Sequence, residues 1–166
     1  MKKLLFICIL ILSLNHLTAQ EMSLHKLDKM LTEISDSIVS NKSQWQFKIK
    51  QVPFICIADS LHNRMRIISP ILESNRVTEE LKTATLMANF HTALDVKYAI
   101  SDDILWSIFV HPLKELTEKQ VLNAVSQVYY ANINFGTTFS STSLVFPGNL
   151  TKKEKPKKKQ QLLKRI

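Results

Sequence analysis

Apolar residues recur along this chain with two different periods, and the switches between them predict its elements. Leu24, Leu27, Leu31, Ile34 and Ile38 step by three and four. That spacing lines one face of an α-helix, so Ser23 to Ser40 reads as one amphipathic helix with Ser23 as its N-cap. Trp45, Phe47 and Ile49 then alternate with Gln46, Lys48 and Lys50, the period-two pattern of a half-buried strand. Val52 to Ala58 is more uniformly apolar, as a central strand is, with Pro53 near its start where a missing N–H donor is tolerated. Asp59 to Asn63 is turn material. Arg64 to Ser69 resumes as a third strand through Met65, Ile67 and Ile68, and Pro70 is expected to end it.

The second half repeats the logic. Thr78 opens a second helix, with Glu79 and Glu80 placed to complement the helix dipole. Leu81, Ala84, Leu86, Met87, Ala88 and Phe90 give that helix a broad apolar surface reaching about Leu94. Val96, Tyr98 and Ile100 alternate, Ser101-Asp102-Asp103 turns, and Ile104 to Val110 returns as a buried strand closed by His111-Pro112. Thr117-Glu118-Lys119-Gln120 is a capping box, with Leu116 and Val121 positioned as its hydrophobic staple. Val121, Leu122, Val125, Val128 and Tyr129 form the apolar face of the third helix, and Gly136 is a natural C-cap. An α+β domain over residues 20–136 follows, in the order α-β-β-β-α-β-β-α with five strands.

The two ends of the chain break this pattern. Lys2 and Lys3 precede an apolar run from Leu4 to Leu14, and Leu17-Thr18-Ala19 places a small residue before Gln20. The run is about half the roughly 20 residues a spanning helix needs. Residues 1–19 therefore read as a cleavable export signal cut after Ala19, with a periplasmic or extracellular destination. At the other end, residues 137–150 form a Ser/Thr-rich extension and 151–166 a basic tail too charged to pack. The formal net charge of +8 belongs to those ends. Lys152, Lys153, Lys155, Lys157, Lys158, Lys159, Lys164 and Arg165 face only Glu154 in the tail, while residues 20–150 are close to neutral. That balance gives no basic face on the domain to claim as a nucleic-acid footprint. The tail, with Leu162, Leu163 and Ile166 beside its cations, suits an anionic membrane surface better than nucleic acid.

Candidate chemistry is sparse. Two glycines in the chain cannot build a P-loop, a dinucleotide fingerprint or a nucleophile elbow. Scattered histidines and no His-Glu-x-x-His arrangement argue against a protein-built metal site, and no cofactor is expected. Past the signal only Cys56 remains, within Phe54-Ile55-Cys56-Ile57-Ala58, where a thiol behaves as a small hydrophobe. An alternative is a small envelope enzyme in which Cys56 meets His91 or His111 as nucleophile and base. His91 and Asp95, four apart, are a second acid–base candidate. Trp45, Phe47, Trp106 and Phe109 either fill the core under the helices or, in part, line an apolar groove on the open side of the sheet for a partner segment. A free edge strand would likewise accept a peptide strand.

One stretch carries a resemblance. A helix with Met87-Ala88-Asn89-Phe90 leads into the strand Val96-Lys97-Tyr98-Ala99-Ile100, then an acidic turn, then Leu105-Trp106-Ser107-Ile108-Phe109, Pro112-Leu113 and a helix opening at Thr117. With the element order over Ser23 to Gly136, this resembles the type III secretion chaperone-like superfamily, including its YbjN-like branch. The resemblance implies a strongly twisted antiparallel sheet flanked by helices, and non-enzymatic binding of a protein or peptide, often as a homodimer.

Overall fold

The computed structural model describes residues 21–142. The expected export signal, the Ser/Thr-rich extension from residue 143 on and the basic tail lie outside the described residues. Helix α1 spans Leu24–Ile34, and the Ser23 hydroxyl caps it by accepting the Lys26 N–H at 3.2 Å. The expected helix to Ser40 is too long. Ser35 turns its hydroxyl back onto the Leu31 carbonyl, and the chain enters strand β1, Ser37–Asn41. Ile38 continues the helical spacing by coincidence, since it faces Phe47 across a strand pair. Its β-branched neighbour Val39 also favours the extended form.

Counting β1, the sheet has six strands and not five. The others are β2 (Gln44–Ile49), β3 (Val52–Asp59), β4 (Arg64–Glu73), β5 (Lys97–Ser101) and β6 (Ile104–His111). All neighbours are antiparallel, in the spatial order β1-β2-β3-β4-β6-β5. Pro70 does not end β4. The strand passes through it with a register shift between Pro70 and Leu72, the bulge at which a residue without an N–H is accommodated. The Asn132 side chain donates to the Pro70 carbonyl at 2.8 Å. Two hairpin turns use left-handed residues other than glycine: Lys50-Gln51 at φ 48 and 68°, and Asp102-Asp103 at φ 51 and 59°. Asp36 secures the first by accepting the Lys50 N–H at 2.6 Å.

Strand parity sorts the side chains. Trp45, Phe47, Phe54, Cys56, Met65, Ile67, Leu105 and Phe109 are buried on one face, under the helices. Phe47 and Phe54 stack at 5.0 Å as register partners. Helix α3 (Glu118–Ile133) lies over β4 and β6. Its capping box is formed, with Thr117 and Gln120 bonding each other's backbone N–H. Register partners Ser69 and Ser107 lie beneath it. Ser107 donates to the Val128 carbonyl at 3.1 Å, and Asn132 donates to the Ser69 hydroxyl at 2.8 Å. The buried Tyr98 hydroxyl donates to the Ala131 carbonyl, and burial pushes its phenol pKa up. Across the molecule, Asn63 donates to both oxygens of Glu115, which holds that carboxyl below its usual range, and accepts the Lys114 N–H.

Helix α2 (Glu79–His91) stands beside β5. The Asn89 amide accepts the Tyr98 N–H at 2.7 Å and donates to the Tyr98 carbonyl at 3.1 Å, as a neighbouring strand would. Packing continues past Gly136, which sits at φ 76° beyond the end of α3. Phe135 and Phe139 meet edge-on and both contact the Tyr98 ring, and Ser141 is buried with its N–H on the Thr92 carbonyl.

Replacing Asn89 with Ala strips both partners from Tyr98 and should lower unfolding free energy by about 1–3 kcal/mol in urea titrations. Thr117→Ala, which removes one bond of the capping box, should cost about 1 kcal/mol in the same assay.

Candidate functional site

The residues capable of chemistry are kept apart. Cys56 lies at the centre of β3, fully buried between register partners Trp45 and Ile67. Burial pushes its pKa up to about 12, so at neutral pH it is a neutral thiol and not a nucleophile. Asp95 is engaged by Gln127, which accepts its N–H at 3.1 Å and donates to its carboxylate at 2.9 Å. His91 is exposed and rests edge-on against Phe90. The His91–Asp95 pairing therefore does not form. His111 stacks on Phe109, and its Nδ1 donates to the Pro112 carbonyl at 2.8 Å, which fixes the proton on that nitrogen. The imidazole–carboxylate contact among the described residues is His62 to Asp59, at 2.6 Å in the exposed β3–β4 turn. There Asp59 also accepts the N–H groups of Leu61 and His62, which holds its carboxyl below the usual range. The pair closes a turn. Among the described residues no group of three or more His, Cys, Asp or Glu side chains could hold a metal ion.

Surfaces are more informative than clefts. Of the four aromatics singled out by sequence, Trp45, Phe47 and Phe109 are buried under the helices. Trp106 points to the opposite face, half-buried, with its indole N–H on the Ser101 carbonyl at 3.0 Å. Parity explains the split: Trp106 and Phe109 are three apart in one strand, so they cannot share a face. The side away from the helices carries Ile55, Ile57, Ile68, Trp106, Ile108 and Val110, all half-buried or exposed. A shallow groove of about 360 Å³ runs along this face between Val39, Gln46, Lys48, Ile55 and Pro70.

Helix α2 supplies a second apolar surface. Only Thr85 and Ala88 are buried in it, while Leu86 and Phe90 are 70% and 86% exposed and Met87 also faces outward; Leu94, in the turn beyond the helix, is exposed too. Sequence reasoning saw the breadth of this apolar surface without assigning it a role. The available signal was that breadth, since a helix apolar around most of its circumference needs partners on more than one side. A larger groove, about 650 Å³, lies between the end of β6 and the start of α3, lined by Leu94, Lys97, His111, Lys119 and Asn123. Among the described residues no helix is long and apolar enough to cross a membrane.

Cys56 should resist a maleimide reagent in the native protein at neutral pH and label fully once the chain is unfolded. Rapid native labelling, read by intact mass, would put the thiol somewhere other than the core.

No family model matches this sequence, and no curated protein matches it either. The fold, however, has solved counterparts. A chain of the HopA1–SchA chaperone–effector complex gives TM-score 0.51 at 8% identity, covering 66% of this chain and 91% of that one. A chain of the ExsC–ExsE complex gives TM-score 0.53 at 11% identity, covering 67% and 92%. At such identities the likeness is one of architecture: this helix-flanked antiparallel sheet has the fold of chains in those two complexes, in keeping with the chaperone-like resemblance of the sequence.

Proposed function

We propose that this protein is an exported, non-enzymatic binding module, chaperone- or adaptor-like, that recognises another protein. The observation that carries the reading is α2, whose outward side presents Leu86, Met87 and Phe90 to solvent. Apolar patches of this kind on a small domain mark interaction sites. The likeness to chains solved as protein complexes supports a protein as the ligand, and a thiol sequestered in the core supports contact over bond-making. Export is supported by Lys2, Lys3, the apolar run from Leu4 to Leu14 and the Leu17-Thr18-Ala19 step.

Self-association through α2 is part of this reading. Two copies of the helix laid antiparallel would bury both apolar stripes. Such a pairing uses the same patch on both copies, as a two-fold interface must.

Multi-angle light scattering should find a dimer whose mass falls to the monomer in the Phe90→Glu protein, with the circular dichroism spectrum unchanged because Phe90 is exposed. A wild-type chain that stays monomeric at every concentration tested would remove the dimer from the proposal. The exported form should begin at Gln20 by intact mass, and an uncut N-terminus in the recovered protein would refute the signal.

A further inference from the structure

We infer that the helix-free face of the sheet is a second docking surface, and that its ligand is an acidic, amphipathic segment of a partner protein. The inference rests on the reading of this chain as a protein-binding module, and adds the place and chemistry of recognition.

Cross-strand register gives the face its pattern. Ile55, Ile68 and Ile108 form one row across three adjacent strands, with Gln46 and Lys97 at its ends. The neighbouring row runs Ile57, Arg66, Val110, and Val110 is 63% exposed. Lys48 stands opposite Pro53 at one side, and Arg64 opposite Asp59 at the end of the hairpin. The face is thus an apolar field set with cations.

The acids on this face are Asp59 and Glu73, both at its margins: the Asp59 carboxylate already accepts from His62, and Glu73 stands opposite Ile104 at the far end of β4, beyond the Pro70–Trp106 row. Lys97 is occupied with the carbonyls of Asn89 and Leu94, where it caps the end of α2. The side chains of Lys48, Arg64 and Arg66 have no hydrogen bond or ion pair among the described residues. A ligand that covers the isoleucines must therefore also neutralise these cations, because a charge desolvated without a partner costs several kcal/mol.

Charge complementarity selects the occupant. The chain's own lysine-rich segment beyond residue 151 is repelled by Lys48 and Arg66. A second copy stacked face to face would bring the same unpaired Lys48, Arg64 and Arg66 to a surface whose acids, Asp59 and Glu73, lie only at its margins. An anionic membrane suits cations at the rim of an apolar patch, but Arg66 lies within the patch, flanked by Ile57 and Val110 in the same row. A lipid surface would draw that guanidinium toward hydrocarbon with its neighbours, whereas an Asp or Glu side chain can meet it in place as a bidentate partner.

The test uses two labelled amphipathic peptides, one built of leucine and glutamate and one with lysine replacing each glutamate, titrated into the whole protein by fluorescence anisotropy. The glutamate peptide should bind about tenfold or more tightly than the lysine peptide, weaken with salt, and shift the NMR signals of the Trp106 indole and the Ile57 and Val110 amides. Arg66→Glu, at an exposed position, should invert the preference. Phe90→Glu should leave it intact, which separates this surface from α2. Equal binding of both peptides, shifts confined to α2, or a preference unaltered by Arg66→Glu would each overturn the inference. So would stronger retention on phosphatidylserine vesicles than on the glutamate peptide. None of those results would by itself disprove association through α2.

Discussion

The architecture depends on how closely α3 can lie against β4 and β6. Ser69 and Ser107 make that approach possible, being small and adjacent in register beneath the helix. Ala124, Val128 and Ala131 keep the facing side of α3 slim, and all are buried. The seam is polar within an apolar core, so every group in it must be satisfied. Ser107 reaches the helix backbone at Val128, Asn132 reaches Ser69 and Pro70, and Tyr98 reaches Ala131. Among the described residues no buried side-chain polar atom lacks a partner. This lock fixes the helix on one face and thereby leaves the other to be used.

Much of this was readable from the chain, for reasons that differ by element. Helix α3 announced itself through Thr117 and Gln120, because a capping box is local chemistry and needs no tertiary context. Strand β2 was equally clear from its strict alternation. The boundary of α1 was not, since Ile38 satisfies both a helical spacing and a core-facing strand position, and only pairing with Phe47 decides between them. The extent of β4 was hidden by Pro70, whose place in a bulge is a property of the partner strand as much as of its own. Turn signals were uneven: Ser101-Asp102-Asp103 reads as a turn from its residues, whereas Lys50-Gln51 carries no such mark, although both pairs do in left-handed conformation what Asn-Gly does elsewhere.

The surfaces were the least legible part. Central strands such as β3 and β6 are apolar on both faces, so hydropathy alone cannot say which side the helices cover. Parity could separate Trp106 from Phe109, yet not tell which of them is outside. Helix α2 presents the same problem in another form: its apolar residues exceed what one packing face can absorb. In each case the surplus of apolar side chains over the room available in the core is what the sequence recorded, and the tertiary arrangement says where that surplus ends up.

The unequal treatment of the two sheet edges has a further consequence. At one end the Asn89 amide occupies the outward groups of Tyr98, while at the other β1 has no neighbouring strand among the described residues. Growth of a ribbon through many molecules requires two adhesive borders on each unit. With one border closed at its centre, pairing through β1 would offer no second adhesive edge, so it would stop after a single addition instead of seeding a fibre.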